Sequence, residues 1–213
     1  MTAVIFDLDG VLVDSRAAIS GAMNHALAAN GFPQRPEAEL YRFIGPPLAL
    51  GFAELTAQPA DSDVVVACII SYRERYAVTS LTETEVFAGI PEALDQLSRD
   101  HRLAVATSKA RLLAEPLLAA LGLRERFEVV VGTDMTARVE DKAATIGRAL
   151  AALQADRAAV MVGDRSFDVE GAHAHRLPAV GVTWGIGSLE ELAAAEAIVD
   201  DPADLPAAVG RLA

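Results

Sequence analysis

Two pairs of aspartates are the residues of this sequence best suited to do chemistry together. Asp7 and Asp9 stand two residues apart and precede Gly10, whose backbone permits a turn that brings the second carboxylate beside the first. Asp164 and Asp168 stand four residues apart, which places their side chains on one face of a helix. Four carboxylates in one place cannot all ionise without a counter-ion, so we expect a bound cation where the two pairs meet.

The oxygen-only character of this set indicates a hard divalent cation. Mg²⁺ suits a site that offers few carboxylates and is completed by a substrate phosphate, and we expect it as the cofactor. Each pair also has a simpler interpretation that the residues alone leave open. The first pair can be a strand end with an Asx turn, and the second can be a helix N-cap with a compensating acid.

Two further stretches supply groups that bind anions. Thr107 and Ser108 precede a helical pattern near Ala110, and hydroxyls with backbone N–H groups at a helix start can cradle a phosphate. Lys142 follows Asp141 at the start of another helix, where a cation opposes the helix dipole and therefore needs a partner. A carboxylate cluster with a bound phosphate would provide that partner. An ordinary cap at Thr107, and a surface pair of Lys142 with Asp141 or Glu140, are the alternatives.

Five short apolar runs must position these side chains. Each run is followed by small or polar residues and then by a helical pattern; the runs are Ala3–Leu8, Leu103–Ala106, Phe127–Val131, Ala159–Val162 and Ala179–Thr183. Apolar strands that alternate with helices predict an α/β fold, with a doubly wound parallel sheet covered on both faces. Ligands of such sheets bind at the carboxyl ends of the strands, where the aspartates, the hydroxyls and the lysine stand.

Between the first and second runs, the sequence shows helical patterns and no comparable strand. Four stretches are typical of helices, and prolines separate them: 14–31, 36–43, 47–57 and 60–77. They predict a small helical-bundle domain inserted after the first strand, at residues 15–81, with the α/β core formed by residues 1–14 and 82–213. We expect an insert that leaves from a strand end to act as a cap over the ligand crevice.

The composition excludes several classes of function. The chain has 18 Lys and Arg against 30 Asp and Glu, a net charge of −12, so binding to nucleic acid polymers or to membrane surfaces is not expected. The apolar stretches are far shorter than a membrane span, and the N-terminus lacks the basic start of a signal peptide, so we expect a cytoplasmic protein. The single cysteine, Cys68, excludes an intramolecular disulfide. Two basic residues are lysines, Lys109 and Lys142, and the sequence predicts no role for Lys109.

Four stretches, in this order, resemble the motifs of the haloacid dehalogenase-like (HAD) hydrolase superfamily. They are Asp7-Leu8-Asp9-Gly10-Val11, Thr107-Ser108, Lys142, and Gly163-Asp164 followed by Asp168. The inserted helices are similar to the cap of its phosphoglycolate phosphatase-like branch, and residues 43–48, 106–109 and 163–168 look most like the 5′-nucleotidase-type group of that branch. The resemblance implies a Rossmann-like core and a Mg²⁺-dependent phosphatase. Val11 departs from the family pattern, which commonly has threonine there.

The resemblance also implies a role for each motif residue. Asp7 is the nucleophile that forms a phospho-aspartate, and Asp9 is the acid that protonates the leaving group and later the base that activates water. The metal ligands are Asp7, the main-chain carbonyl of Asp9 and Asp164, while Asp168 holds a metal-bound water or orients Lys142. Lys142 stabilises Asp7 and the developing charge. Three residues bind the transferring phosphoryl group: Thr107, Ser108 and Lys142.

The expected substrate and partner is a small phosphorylated metabolite, with a nucleotide 5′-phosphate slightly ahead of phosphoglycolate. Arg42 and Arg138 are candidate contacts for a substrate anion, with a solvated surface charge as the competing interpretation. A phosphosugar mutase of the same superfamily is the nearest alternative, because the first motif would serve it equally well. A non-enzymatic phospho-accepting receiver is the alternative from another class, although the inserted helices and Asp9 favour a catalyst. Asp9 also disfavours a dehalogenase, because displacement of halide needs no acid. The sequence leaves the oligomeric state open.

Overall fold

A six-stranded parallel sheet forms the core of the chain in a computed structural model that describes residues 1–134, 141–155 and 159–213. The strands are β1 Ala3–Phe6, β2 Val13–Asp14, β3 Glu85–Val86, β4 Arg102–Ala110, β5 Val129–Thr133, β6 Ala159–Gly163, β7 Ala179–Val182 and β8 Ala197–Val199. The α-helices are α1 Arg16–Ala29, α2 Glu37–Leu40, α3 Leu48–Thr56, α4 Asp63–Thr79, α5 Ile90–Leu97, α6 Arg111–Ala120, α7 Lys142–Leu153, α8 Ser166–Ala174 and α9 Leu205–Leu212. Short 3₁₀ helices lie at Tyr41–Phe43, Arg124–Arg126 and Pro202–Asp204.

The large sheet has the strand order β5-β4-β1-β6-β7-β8, and all neighbouring strands in it run parallel; β2 and β3 form a separate two-stranded sheet. The order reverses at β1, where Phe6 lies opposite Val105 of β4 on one side and Val162 of β6 on the other. Such a reversal opens a crevice at the carboxyl ends of the central strands. The predicted α/β fold with a doubly wound parallel sheet is confirmed.

Apolar layers cover both faces of this sheet, which explains why its central strands are continuous apolar runs. All four residues of β1 are fully buried. Val4 and Phe6 pack into one layer with residues of α5, α6 and α9, whereas Ala3 and Ile5 pack into the other with residues of α7 and α8. Alternate residues of a strand point to opposite faces, so each face of β1 contributes to its own core.

Residues Ser15–Glu85 form a second compact unit, distinct from the unit built by Met1–Asp14 and most of the rest of the chain. It contains helices α1 to α4, of which α1 packs on α4. Its interior includes stacked aromatic rings, with Tyr72 and Tyr76 5.5 Å apart between ring centroids. The helical insert predicted at residues 15–81 falls inside this unit, and its action as a cap stays a prediction.

The strands differ from the predicted runs in several places: β2 and β3 are two-residue strands that no run predicted, β1 ends two residues early, and β5 begins and ends two residues late. Two further differences, at β8 and β4, affect the edge of the sheet and the site. Apolar patterning misses β8 because this strand has only three residues, which do not stand out from the alanine-rich sequence before them. Strand β4 continues beyond Ala106, where the predicted run ends, and reaches Ala110 through an irregular pairing with β5. Residues 107–109 therefore belong to the strand, and α6 begins at Arg111. Within the described ranges, no helix is long and apolar enough to cross a membrane.

Candidate active site

Asp7 is the first residue beyond β1, and it remains hydrogen-bonded to the sheet. Its N–H donates to the carbonyl of Val162 at 3.0 Å, so the central strand pair fixes its position. Oδ1 of its carboxylate lies 2.7 Å from Nζ of Lys142. Burial raises the pKa of Asp7 above its usual value; the attraction of Lys142 opposes this rise, and repulsion from Asp168 adds to it. The strand end therefore presents a buried carboxylate that depends on nearby positive charge to ionise.

Lys142 begins α7 and is buried, with its ammonium between two aspartates. Nζ lies 2.7 Å from Asp7 and 2.8 Å from Asp168. Burial alone would lower its pKa, but the carboxylates of Asp168 and Asp7 outweigh burial and raise the pKa above its usual value. Asp141 instead caps α7, because its side chain accepts the N–H of Ala144 at 2.8 Å. The alternative of a surface pair between Lys142 and Asp141 is therefore wrong.

Asp168 lies in the first turn of α8, and both of its carboxylate oxygens are engaged. Oδ1 faces Lys142, while Oδ2 accepts the N–H groups of Asp164 and Arg165 at 3.1 Å each. Gly163 makes this approach possible, since a Cβ there would lie 2.1 Å from the Cβ of Asp168. Of the two roles expected for Asp168, these contacts favour the orientation of Lys142.

Asp164 follows β6 and completes a cluster of carboxylates that could hold a metal ion. One oxygen from each of Asp7, Asp164 and Asp168 lies within 4.8 Å of the others. Oδ1 of Asp164 is buried and has no hydrogen-bond partner among the residues that the structure describes. Burial, and then repulsion from Asp168 and Asp7, raises the pKa of Asp164. A hard divalent cation such as Mg²⁺ fits this cluster, because it would satisfy the orphaned oxygen and offset the excess negative charge.

The loop after β7 holds Asp164 in place, a contact that the motifs do not reveal. The N–H of Ile186 donates to Oδ2 of Asp164 at 2.7 Å. The flanking glycines allow this close approach: an added Cβ would lie 2.4 Å from the same oxygen at Gly185, and 1.8 Å from the main-chain oxygen of Asp164 at Gly187. Two glycines just beyond an apolar run are the available sequence signal, because a main-chain donor leaves no mark on residue type.

Asp9 lies in the turn after β1 and pairs with Lys109, the other lysine of the chain. Gly10 has a φ of 86°, and the carbonyl of Leu8 accepts the N–H of Leu12 at 3.0 Å, so the chain turns sharply here. Oδ2 of Asp9 lies 3.0 Å from Nζ of Lys109, and both side chains are largely buried. Each aspartate of the first motif thus faces its own lysine. Residue spacing could not show this for Lys109, because it depends on β4 continuing past the end of its apolar run.

Thr107 and Ser108 lie on β4, the strand beside β1. Thr107 is buried, and its Oγ1 accepts the N–H of Lys109 at 3.1 Å. The carbonyl of Ser108 accepts the hydroxyl of Thr133 on β5 at 3.1 Å. The two predicted phosphate-binding residues therefore lie at the same sheet edge as Asp7, on a strand rather than in the first turn of a helix.

Of the two arginines expected to contact substrate, Arg42 lies within the described residues. Arg42 lies in the second unit, where its guanidinium pairs with Glu54 and lies 4.5 Å from the ring centroid of Phe43. Its side chain is 64% exposed, as is typical of a surface charge. A substrate contact by Arg42 stays a prediction. Arg138 lies outside the described residues.

The carboxyl edge of the sheet thus brings four chemical capacities together. Asp7 is a buried carboxylate whose charge Lys142 offsets, and Asp7 with Asp164 offers oxygen ligands to a cation. Asp9 supplies a separate carboxyl group, and Thr107 supplies a hydroxyl. Phosphoryl transfer requires this combination, because attack of an anion on a phosphate dianion proceeds only where positive charge and hydrogen-bond donors stabilise the transition state.

Comparison with known proteins identifies similar chains. A family model described as haloacid dehalogenase-like hydrolase matches residues 4–182. A 5′-nucleotidase of Pseudomonas aeruginosa is 36% identical over 200 residues, which cover 90% of this chain and 86% of that protein. A plasmid phosphoglycolate phosphatase of Cupriavidus necator is 38% identical over 213 residues, covering 97% and 92% respectively. The crystal structure of a predicted phosphatase from Clostridium acetobutylicum, 32% identical, has a TM-score of 0.92 over 99% of both chains.

Proposed function

The chain belongs to the haloacid dehalogenase-like hydrolases, and on this premise we propose that it is a Mg²⁺-dependent phosphatase of a small phosphorylated metabolite. The observation that carries the proposal is the 2.7 Å ion pair between Asp7 and Lys142, beside a carboxylate cluster that could hold a metal. Asp7 follows the central strand, and its main chain is tied to β6, so its carboxylate is presented from a rigid element. These features support Asp7 as the nucleophile.

In the first half of the reaction, Asp7 attacks the phosphorus, a phospho-aspartate forms, and the ester bond to the leaving alcohol breaks. Mg²⁺ bound by Asp7, Asp164 and the main-chain carbonyl of Asp9 would neutralise the charge that keeps a carboxylate from a phosphate dianion. Lys142 adds positive charge at Asp7 and at the phosphoryl oxygens. Two further residues donate hydrogen bonds to the phosphoryl group: Thr107 and Ser108.

Asp9 handles the protons of both half-reactions. Its carboxyl group gives a proton to the ester oxygen as the alcohol leaves, and the resulting carboxylate takes a proton from the water that hydrolyses the phospho-aspartate. Asp7 and Asp9 face different lysines, which supports this division of tasks between the two carboxyl groups. Asp168 acts through Lys142, whose ammonium it holds at 2.8 Å.

Two substrate classes have support from the relatives. The printed names of those relatives, a 5′-nucleotidase and a phosphoglycolate phosphatase, favour a nucleotide 5′-phosphate or phosphoglycolate as the substrate of this chain. Both are phosphomonoesters of small molecules and fit the same attack by Asp7. Arg42 and Arg138 stay the proposed contacts for the part of the substrate beyond the phosphate.

A phosphatase screen tests this proposal. The protein is incubated with Mg²⁺ and nucleoside 5′-monophosphates, phosphoglycolate or sugar phosphates, and released inorganic phosphate is measured. We expect release from at least one class, its loss in EDTA and its recovery in excess Mg²⁺. Asp7→Asn should abolish this release. Its matched control is Asp95→Asn, because Asp95 is a surface aspartate paired with Arg126. A preference above about a hundredfold in kcat/KM names the substrate class.

The products separate the remaining alternatives. A sugar phosphate that is isomerised without release of inorganic phosphate would assign the chain as a mutase. Absence of turnover with every substrate in the presence of Mg²⁺ would contradict the proposal and favour a phospho-accepting receiver.

A further inference from the structure

We propose that Lys109 is a positioning residue that holds the carboxyl group of Asp9 in place for proton transfer to the leaving group. This inference rests on the proposed phosphatase function and adds a residue to it. Nζ of Lys109 lies 3.0 Å from Oδ2 of Asp9, and the two side chains are 5% and 11% exposed. The pair therefore lies at the carboxyl edge of the sheet and largely out of water.

The main chain of Lys109 is anchored on three sides. Its N–H donates to Oγ1 of Thr107, and the carbonyl of the preceding Ser108 accepts the hydroxyl of Thr133. Gly132 of β5 packs against it so closely that a Cβ there would lie 2.4 Å from the carbonyl oxygen of Lys109. An ammonium on such a fixed base can fix the position of its partner.

Asp9, by contrast, lies in the turn after β1 that contains Gly10. The turn sets its main chain, and the rotamer of its side chain depends on the contacts of the carboxyl group. The ion pair with Lys109 at 3.0 Å is a buried contact of this kind, made from a neighbouring strand. A buried ion pair desolvates both charges, and two apolar side chains in place of Lys109 and Asp9 would avoid that cost. The charge of Lys109 is therefore explained by its effect on Asp9 better than by stability.

The proposed step shows where this position matters. The bond between an Asp7 oxygen and phosphorus forms, the bond between phosphorus and the ester oxygen breaks, and the proton of the Asp9 carboxyl passes to that ester oxygen. Lys109 neither gains nor loses a proton: its ammonium donates to Oδ2 of Asp9, and the other carboxyl oxygen carries the proton that is transferred. An alkoxide leaves poorly without the proton, whereas p-nitrophenolate leaves readily as the anion. Displacement of the Asp9 carboxyl should therefore slow alkyl phosphates far more than p-nitrophenyl phosphate.

The test is kcat/KM of Lys109→Met on two substrates, the best alkyl phosphate of the screen and p-nitrophenyl phosphate. This parameter includes only the steps up to formation of the phospho-aspartate, so the later action of Asp9 as a base does not enter. We expect kcat/KM for the alkyl phosphate to fall by at least about tenfold more than kcat/KM for p-nitrophenyl phosphate. Asp9→Asn should shift the ratio of the two values in the same direction. Arg111→Met is the matched control, since Arg111 is a nearby exposed cation, and it should leave the ratio of the two values unchanged.

Two further variants keep the test decisive. Lys109→Gln keeps a hydrogen-bond donor without the charge and replaces the methionine variant if that variant does not fold. Lys109→Arg keeps the charge and should recover part of the kcat/KM that is lost on the alkyl phosphate. Equal losses on both substrates would mean that Lys109 binds the phosphoryl group itself, and that result overturns the inference. If kcat/KM stays unchanged on both substrates and only the Tm falls, Lys109 has a structural role, and that result also overturns the inference. A wild-type protein that is inactive on both substrates would instead count against the proposed function.

Discussion

Strand β4 carries an ion pair at each end, and the two pairs differ in every physical respect. At its first residue, Arg102 donates from Nε to Glu128 at 2.8 Å, and the two side chains are 33% and 48% exposed. Near its other end, Lys109 meets Asp9 in a largely buried pair. Lys142 likewise meets Asp7 at the carboxyl edge of the sheet. The amino edge thus has a solvated arginine pair, and the carboxyl edge has buried lysine pairs.

On the proposed function, this difference separates exposed surface charges from buried charges that act in the reaction. Exposed pairs are screened by water and salt and contribute little to stability. Buried pairs cost desolvation energy and are retained where their charge has another use. Lysine suits the carboxyl edge because its ammonium is a compact point charge, whereas the planar fork of arginine needs more room. A net charge of −12 is therefore compatible with a phosphate substrate, since positive charge is concentrated where it would bind.

The largest effect is expected at the carboxyl edge from Asp7→Asn. The amide has the size of the carboxylate but cannot attack phosphorus, so kcat should fall by about 10⁴-fold or more. The fold should persist, because the substitution removes a buried charge without changing volume. Phosphate release and circular dichroism measure the two effects, with Asp95→Asn as the control. Activity of Asp7→Asn near that of the wild type would remove Asp7 from the mechanism.

Lys142→Arg tests whether the carboxyl edge needs lysine in particular. The substitution keeps the charge but replaces a point charge between Asp7 and Asp168 by a planar fork. We expect kcat/KM to fall by about a hundredfold, and Lys142→Met to lose at least as much. Steady-state kinetics on the preferred substrate measure both variants. An arginine variant as active as the wild type would show that charge alone matters at this position.

The next largest effect is expected from Mg²⁺ on thermal stability, which tests the carboxyl edge as the metal site. A ligand at a hundred times its Kd stabilises a protein by about 2.7 kcal/mol, so Mg²⁺ should raise the Tm of the wild type. Asp164→Asn removes a proposed ligand and should lose most of this rise, while its Tm in EDTA stays equal or increases because a buried charge is gone. Thermal unfolding with Mg²⁺ and with EDTA measures both. An equal rise in Asp164→Asn and in the wild type would place the ion elsewhere.

The smallest effect is expected at the amino edge from Glu128→Gln, which removes the ion pair with Arg102 and keeps the hydrogen bond from Arg102 to the carbonyl of Leu153. The ion pair is exposed, so Tm should change little, and the change should shrink further in 1 M salt, where the Debye length is about 3 Å. Enzyme activity should be unchanged because this pair lies at the opposite end of β4 from Lys109. Thermal unfolding at low and high salt and one kinetic assay measure this. A loss of activity comparable to that of Lys142→Met would erase the distinction between the two edges.

Much of the fold could be predicted from the sequence, because central parallel strands are buried on both faces and appear as apolar runs. The short edge strand β8 could not, since its three apolar residues do not stand out from the alanine-rich sequence before them. The contact between Asp7 and Lys142 agrees with the expectation that residues following the strands lie together at the carboxyl edge of the sheet. The pairing of Lys109 with Asp9 depends on how far β4 extends, and the support of Asp164 by Ile186 comes from a main-chain N–H. The first contact has no signature in residue type or spacing, and the second is marked in the sequence only by the glycines at positions 185 and 187.

Chemical trapping of the proposed intermediate tests the central claim most directly. The protein is quenched with acid during turnover of its preferred substrate and reduced with borohydride, which converts an acyl phosphate of aspartate to homoserine. Peptide mass spectrometry then locates the reduced residue. We expect homoserine at position 7, dependent on substrate and absent from Asp7→Asn. Reduction at a different residue, or none during measurable turnover, would contradict a phospho-aspartate mechanism on Asp7.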